Sequence, residues 1–189
     1  MSHEHHHEVK TLANDIYKAT GVKVAKCYQC GKCSAGCPVS DEMDLPPNVL
    51  LRLLQTDNEA DEQTVLKSKT IWLCLTCEMC ISRCPMEVEL PKVMDYLRHK
   101  SIGMNLQHPH AKKIIDFHKS FLDSIEYTGR LYELGLVVDY KVRSLDLVKD
   151  VMLAPKMISR GKLGFLPEMI KNKENMKRIF SRTKKTGGK

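Results

Sequence analysis

The chain has 189 residues, a formal net charge of +7 and only 6% aromatic residues. That length holds a buried core in one domain, or in one domain with an extension. No apolar run approaches the ~20 residues that span a bilayer, no export signal opens the chain, and no basic stripe interleaved with aromatics points to nucleic acid; a cytoplasmic protein with no membrane span and no nucleic-acid partner is expected.

The chain begins with a leader, residues 1–8, that holds His3, His5, His6 and His7. With no partner ligands nearby it reads as disordered rather than metal-binding. Residues 9–20 have the spacing of a helix, with Leu12, Ile16 and Ala19 on one face and Gly21 where a C-cap belongs. After the first cysteine run, helical patterns cover 47–55 and 61–72, joined by an acidic turn at 57–61. Residues 109–127 keep helical period, with Gly129 beyond them. Residues 131–140, interrupted by Gly135, read as short helix or loop. Residues 144–159 predict a helix N-capped by Ser144 that Pro155 kinks or ends. Residues 166–180 predict another helix with Pro167 near its start. The basic stretch 181–189 reads as a flexible tail.

All eight cysteines fall into two copies of C-x2-C-x2-C-x3-C-P: Cys27, Cys30, Cys33 and Cys37 before Pro38, then Cys74, Cys77, Cys80 and Cys84 before Pro85. Three closely spaced thiolates wrap one cubane 4Fe–4S cluster, and the cysteine before proline turns away to ligate the other. The spacing therefore predicts Cys27, Cys30, Cys33 and Cys84 around one cluster and Cys74, Cys77, Cys80 and Cys37 around the second. A disulfide framework fits a small secreted chain, and zinc uses paired C-x2-C units or cysteine–histidine mixtures. Neither explains a fourth cysteine before proline, twice. Two such sites carry about −2 each, so the working charge falls to about +3.

The runs open an internal repeat offset by 47 residues, Cys27 to Cys74. Each is followed by a Leu-Pro step, Leu45-Pro46 and Leu90-Pro91, that starts a helix. The 36 residues between Cys37 and Cys74 read as helical, so the cluster domain is expected to be all-α. A cluster with four cysteine ligands has no open position for substrate. The chain also lacks a dinucleotide or phosphate loop and a spare cysteine, so no substrate site is expected in it. His99, His108, His110 and His118 lack a carboxylate at ligand spacing and read as surface residues.

With its helical spacer, its length and the details of 27–38 and 72–80, the double run resembles the C subunit of the soluble heterodisulfide reductases of methanogenic archaea, within the α-helical ferredoxin group. The succinate dehydrogenase iron–sulfur subunit of that group carries a plant-type 2Fe–2S domain, for which there is no room before Cys27. Its fused relatives carry Cys-Cys pairs, absent here. The resemblance implies an all-α protein: a two-cluster α-helical ferredoxin domain over 9–105, a helical extension over 106–180 for partner docking, and the tail. It implies a non-catalytic relay subunit of an oxidoreductase complex in methanogenesis. Single electrons would pass from the flavoprotein A subunit to the catalytic B subunit, which reduces the coenzyme M–coenzyme B heterodisulfide. A hydrogenase or formate dehydrogenase would feed the assembly. The alternatives are an iron–sulfur subunit of another flavin-linked dehydrogenase, or a structural adaptor with non-conducting clusters.

Two charge patterns carry further expectations. Residues 171–189 hold eight basic and one acidic residue and read either as a solvated tail or as a basic face that steers docking of the apolar face of 166–180 on a partner. Lys26 and Lys32 flank the first cysteine run, whereas Glu78, Arg83, Glu87 and Glu89 flank the second. Counted by run, the first cluster is expected to have the higher potential.

Overall fold

The computed structural model describes residues 11–145, 154–161, 164 and 166–186, and every regular element among them is helical. The leader 1–8, the first two residues of the helix expected from 9, the stretch 146–153 and residues 187–189 lie outside the described residues. The chain divides into two compact units, Met1–Ala111 and Lys112–Lys189.

In the first unit, α1 (Leu12–Thr20) starts where the Thr11 hydroxyl accepts from the Asn14 N–H at 3.3 Å, and it stops at Gly21 in the left-handed region (φ 75°). A 3-10 turn, Val24–Lys26, leads into the first cysteine run, which holds the short helix α2 (Lys32–Ala35). After a second 3-10 turn, Ser40–Glu42, come α3 (Pro47–Leu54), α4 (Glu59–Lys67) and α5 (Thr70–Leu73). The second run holds α6 (Met79–Arg83), and α7 (Leu90–Gly103) follows with Pro91 in its first turn.

Helix α7 is the spine on which α1, α4 and α5 pack. Its Val93, Met94 and Leu97 are fully buried together with Ile16, Leu50, Val65 and Ile71. Polar ties fix the angles between these helices. Lys100 pairs with Asp15 at 2.9 Å, the Leu12 N–H donates to Glu62 at 2.5 Å, and the Ser101 hydroxyl donates to the Leu66 carbonyl at 2.8 Å.

The helix expected over 61–72 is two helices. Ser68 is extended (φ −68°, ψ 149°), and the chain restarts as α5 under a cap from far away in sequence. The Asp44 carboxylate accepts from the N–H groups of Lys69 (2.8 Å) and Thr70 (2.9 Å) and from the Thr70 hydroxyl (2.8 Å). An aspartate 25 residues upstream thus does the work of an N-cap. Helix α3 is started in a similar way from α2, where the Ser34 hydroxyl accepts from the Asn48 N–H at 3.0 Å.

The second unit contains α8 (Ala111–Thr128), α9 (Glu133–Ser144), α10 (Ala154–Ser159) and α11 (Lys173–Thr186). Phe117 of α8 meets Tyr140 of α9 edge-to-face with centroids 5.7 Å apart, and Arg143 bridges Asp139 and Asp123 at 2.7 Å each. Three expectations are corrected here. Gly135 sits inside α9 without breaking it, because the Tyr132 ring folds where a β-carbon would stand. Ser144 ends α9 instead of opening the next helix, and α10 runs through Pro155 to Ser159, so the proline does not end it. Residues 166–172 are not helical; α11 begins at Lys173 and continues to Thr186, into the stretch read as a tail. Ile179 and Phe180 of α11 share a groove with Leu122 of α8.

Burial opposes the charge on Asp44, but the hydrogen bonds from Lys69 and Thr70 outweigh it and hold the carboxyl below its ordinary range. A depressed folded-state pKa contributes stability above the unfolded value that is lost as pH falls through the folded one. Asp44→Ala is expected to destabilise the first unit by about 0.5–2 kcal/mol at neutral pH. The gap between variant and native protein should close as pH drops below about 4. Thermal melts of the two proteins across that range check both statements.

Candidate metal centre

The two cysteine runs fold alike, position by position. Gln29 (φ 64°) and Gly31 (φ 74°) flank Cys30 in the left-handed region, and Thr76 (φ 51°) and Glu78 (φ 62°) flank Cys77 in the same way, 47 residues on. Each left-handed residue turns the chain back on itself. Cysteines three apart can then face one cavity instead of spiralling around a helix. Helices α2 and α6 begin directly afterwards, carry Cys33 and Cys80, and pack against each other.

Two cavities result. The first is lined by Cys27, Cys30, Cys33, Cys80 and Cys84, the second by Cys33, Cys37, Cys74, Cys77 and Cys80. Cys84 stands on the cavity of the first run and Cys37 on that of the second, while Cys33 and Cys80 line both. Apolar side chains complete the walls, among them Leu51 and Val88 in the first and Met43 and Met94 in the second. Cys30 and Cys77, the middle cysteines, are exposed, and so are the apolar residues two positions before each, Tyr28 and Leu75.

All eight cysteines are free of disulfides. Among the described residues no three of His, Cys, Asp and Glu close on a single ion; the thiols ring cavities instead, which suits a polynuclear group. Their electrostatics agree with such a group. Burial pushes the Cys33 and Cys74 thiols up, and burial, with the charge of Cys74 next, pushes Cys80 up to about 11. Exposed Cys30 goes the other way, lowered first by the Lys32 backbone N–H. Crowded, partly buried thiolates of like charge need positive charge among them, and an iron–sulfur core supplies it.

Second-layer polar groups orient the sulfurs. The Gln29 side-chain amide donates to the Cys27 sulfur and the Val88 N–H to the Cys84 sulfur, both at 3.4 Å. The Gln55 amide donates to the carbonyls of Val24 (3.0 Å) and Cys27 (2.7 Å). In the second copy, Arg98 donates from Nε to the Ile71 carbonyl at 2.5 Å and from Nη2 to the Cys74 carbonyl. Neither Gln55 nor Arg98 was marked by motif or spacing, because each reaches its carbonyls from a helix about 25 residues or more away. None of the four histidines singled out in the sequence lines either cavity.

Charges also distribute differently from the count by run. The segment after Cys84 lines the first cavity with Met86, Val88 and Leu90, and Glu87 and Glu89 alternate with these residues along it. The segment after Cys37 lines the second with Val39 and Met43, and Glu78 lines it as well. Arg83 crosses to Gly36, where a β-carbon would stand 2.5 Å from its Nε. Glu78 at the second cavity is thus offset by Arg83, already in the count by run, and by Arg98, which that count left out.

Residues 23–88 match the 4Fe-4S dicluster domain family. The chain is 29% identical over 126 residues to the C subunit of the ferredoxin:CoB-CoM heterodisulfide reductase of Methanosarcina mazei, covering 64% of this chain and 75% of that one. It is 26% identical over 108 residues to the C subunit of the H(2):CoB-CoM heterodisulfide,ferredoxin reductase of Methanothermobacter marburgensis, 57% of each chain. It is 36% identical over 90 residues to the C 2 iron-sulfur subunit of the CoB–CoM heterodisulfide reductase of Methanocaldococcus jannaschii, 47% of this chain and 43% of that one. The chain thus carries a dicluster domain with two 4Fe–4S clusters as its cofactors, and it is a relative of heterodisulfide reductase C subunits. No described helix is long and apolar enough to cross a membrane.

The left-handed backbone at Gly31 has a measurable cost when it must carry a side chain. A β-carbon there would meet nothing within 4 Å, so any penalty is conformational, not a clash. Gly31→Ala is expected to lose about 1–2 kcal/mol, and Gly31→Asn, which tolerates this region better, distinctly less. Melting temperatures of the loaded proteins and rates of iron release to a chelator give the ranking; an alanine variant as stable as native would remove the strain argument.

Proposed function

We propose that this chain is the electron-relay subunit of a heterodisulfide reductase complex, with one cluster held by Cys27, Cys30, Cys33 and Cys84 and the other by Cys74, Cys77, Cys80 and Cys37. A cubane cluster with four thiolate ligands exchanges one electron at a time and leaves no coordination position open. What this chain adds is placement. The observation that carries the reading is the shared wall: Cys33 and Cys80 line both cavities. Each cavity also reaches the surface at its own end, by Cys30 beside Tyr28 and by Cys77 beside Leu75. A path with two exposed ends and an apolar middle suits conduction between partners better than reaction within the chain. Names of the relatives support the terminal reaction, reduction of the CoB–CoM heterodisulfide. In this reading the flavoprotein A subunit delivers electrons and the catalytic B subunit takes them up.

The ligand exchange has a consequence that a simple cysteine count does not. Cys37→Ala is expected to disturb the cluster of the second run, and Cys84→Ala that of the first, as seen by EPR and Mössbauer spectroscopy. If Cys37→Ala alters the first cluster and spares the second, the ligand assignment fails. The activity itself is tested in the anaerobically assembled complex. Oxidation of a reduced viologen that depends on the CoB–CoM heterodisulfide should be lost when this chain is omitted and restored when it is returned.

A further inference from the structure

The two copies of the repeat are closed by residues of different charge. Val24 and Ile71 are equivalent at the 47-residue offset, as are Cys27 and Cys74. The same two carbonyls are held in each copy, by the neutral Gln55 amide in the first and by the Arg98 guanidinium in the second. Holding two carbonyls requires only two donors, and Gln55 meets that need without charge. Arg98 therefore adds a full positive charge beside the second cavity that the architecture alone does not call for. Its side chain is 22% exposed, so water screens it little, whereas Asp95, its partner at 2.9 Å, is 63% exposed.

We propose that Arg98 is a positioning residue that tunes the second cluster, offsetting the carboxylate of Glu78, which lines that cavity, so that the potentials of the two clusters lie close together. Adding an electron makes a cluster more negative by one charge, and a nearby cation favours the reduced form. Arg83, which reaches Gly36 next to Cys37, works in the same sense. This inference rests on the ligand assignment above.

The test is a potentiometric titration of the full chain with both clusters loaded, dithionite as the one-electron donor and EPR as the readout. Arg98→Gln, which mimics Gln55, should lower the potential of the second cluster and leave the first in place. Arg98→Lys should keep most of the native value, and Gln55→Arg should raise the first cluster. A loss of structure alone would not produce opposite shifts at the two sites. With two clusters counted by iron content and spin integration, an unmoved potential in Arg98→Gln, or an equal shift in both clusters, overturns the inference. Where Arg98→Gln does not hold its second cluster, Gln55→Arg decides: a raised first potential supports it and an unmoved one overturns it. Finding a single cluster in the unmodified chain would instead defeat the ligand assignment, so the two failures are distinct.

Discussion

Everything in the first unit is subordinate to one electrostatic constraint: eight thiols must be held around two adjoining cavities, although as thiolates they repel one another and burial disfavours their charge. Cys80 feels this most, since it lines both cavities and burial together with Cys74 pushes its thiol up to about 11. A set of this kind does not assemble itself. The left-handed residues around Cys30 and Cys77, the packing of α2 on α6, and the caps supplied by Ser34 and Asp44 are the means by which the backbone holds it.

The repeat explains why so few kinds of interaction suffice. Each cysteine run is turned by the same pair of positive φ angles, and each has its leading carbonyls gripped by a side chain from a later helix. The helices that follow the Leu-Pro steps, α3 and α7, thus contribute to the core on one side and to the metal centre on the other. Leu50 and Leu54 are buried within α3, and Gln55 follows directly after them. In α7, Leu97 is fully buried and Arg98, the next residue, faces the second run. The hydrophobic core and the site are coupled through adjacent residues rather than through a separate framework.

Much of this was legible in the residues. The double cysteine pattern, the 47-residue repeat, the Leu-Pro helix starts and the Gly21 stop are local signals, and local signals survive folding. What was not legible depended on contacts distant in the chain. Residues 61–72 look like one helix until Asp44 arrives to cap a second start at Thr70. Gly135 looks like a break until the Tyr132 ring covers it. The charges were counted by run, whereas Cys84 and the segment after it line the first cavity and Cys37 and the segment after it line the second. Counting Glu87 and Glu89 with the second run ignored that they travel with Cys84.

The exposure of Cys30 and Cys77 has a price in chemistry. In the proposed relay, a rim thin enough to pass electrons to a protein partner would also admit dioxygen, which is small and apolar. Burying these two cysteines under another helix would protect the centre and, in that reading, close both ends of the relay. The fold leaves them open, so protection from oxidation falls to whatever covers Tyr28 and Leu75 in an assembly, or to surroundings free of oxygen.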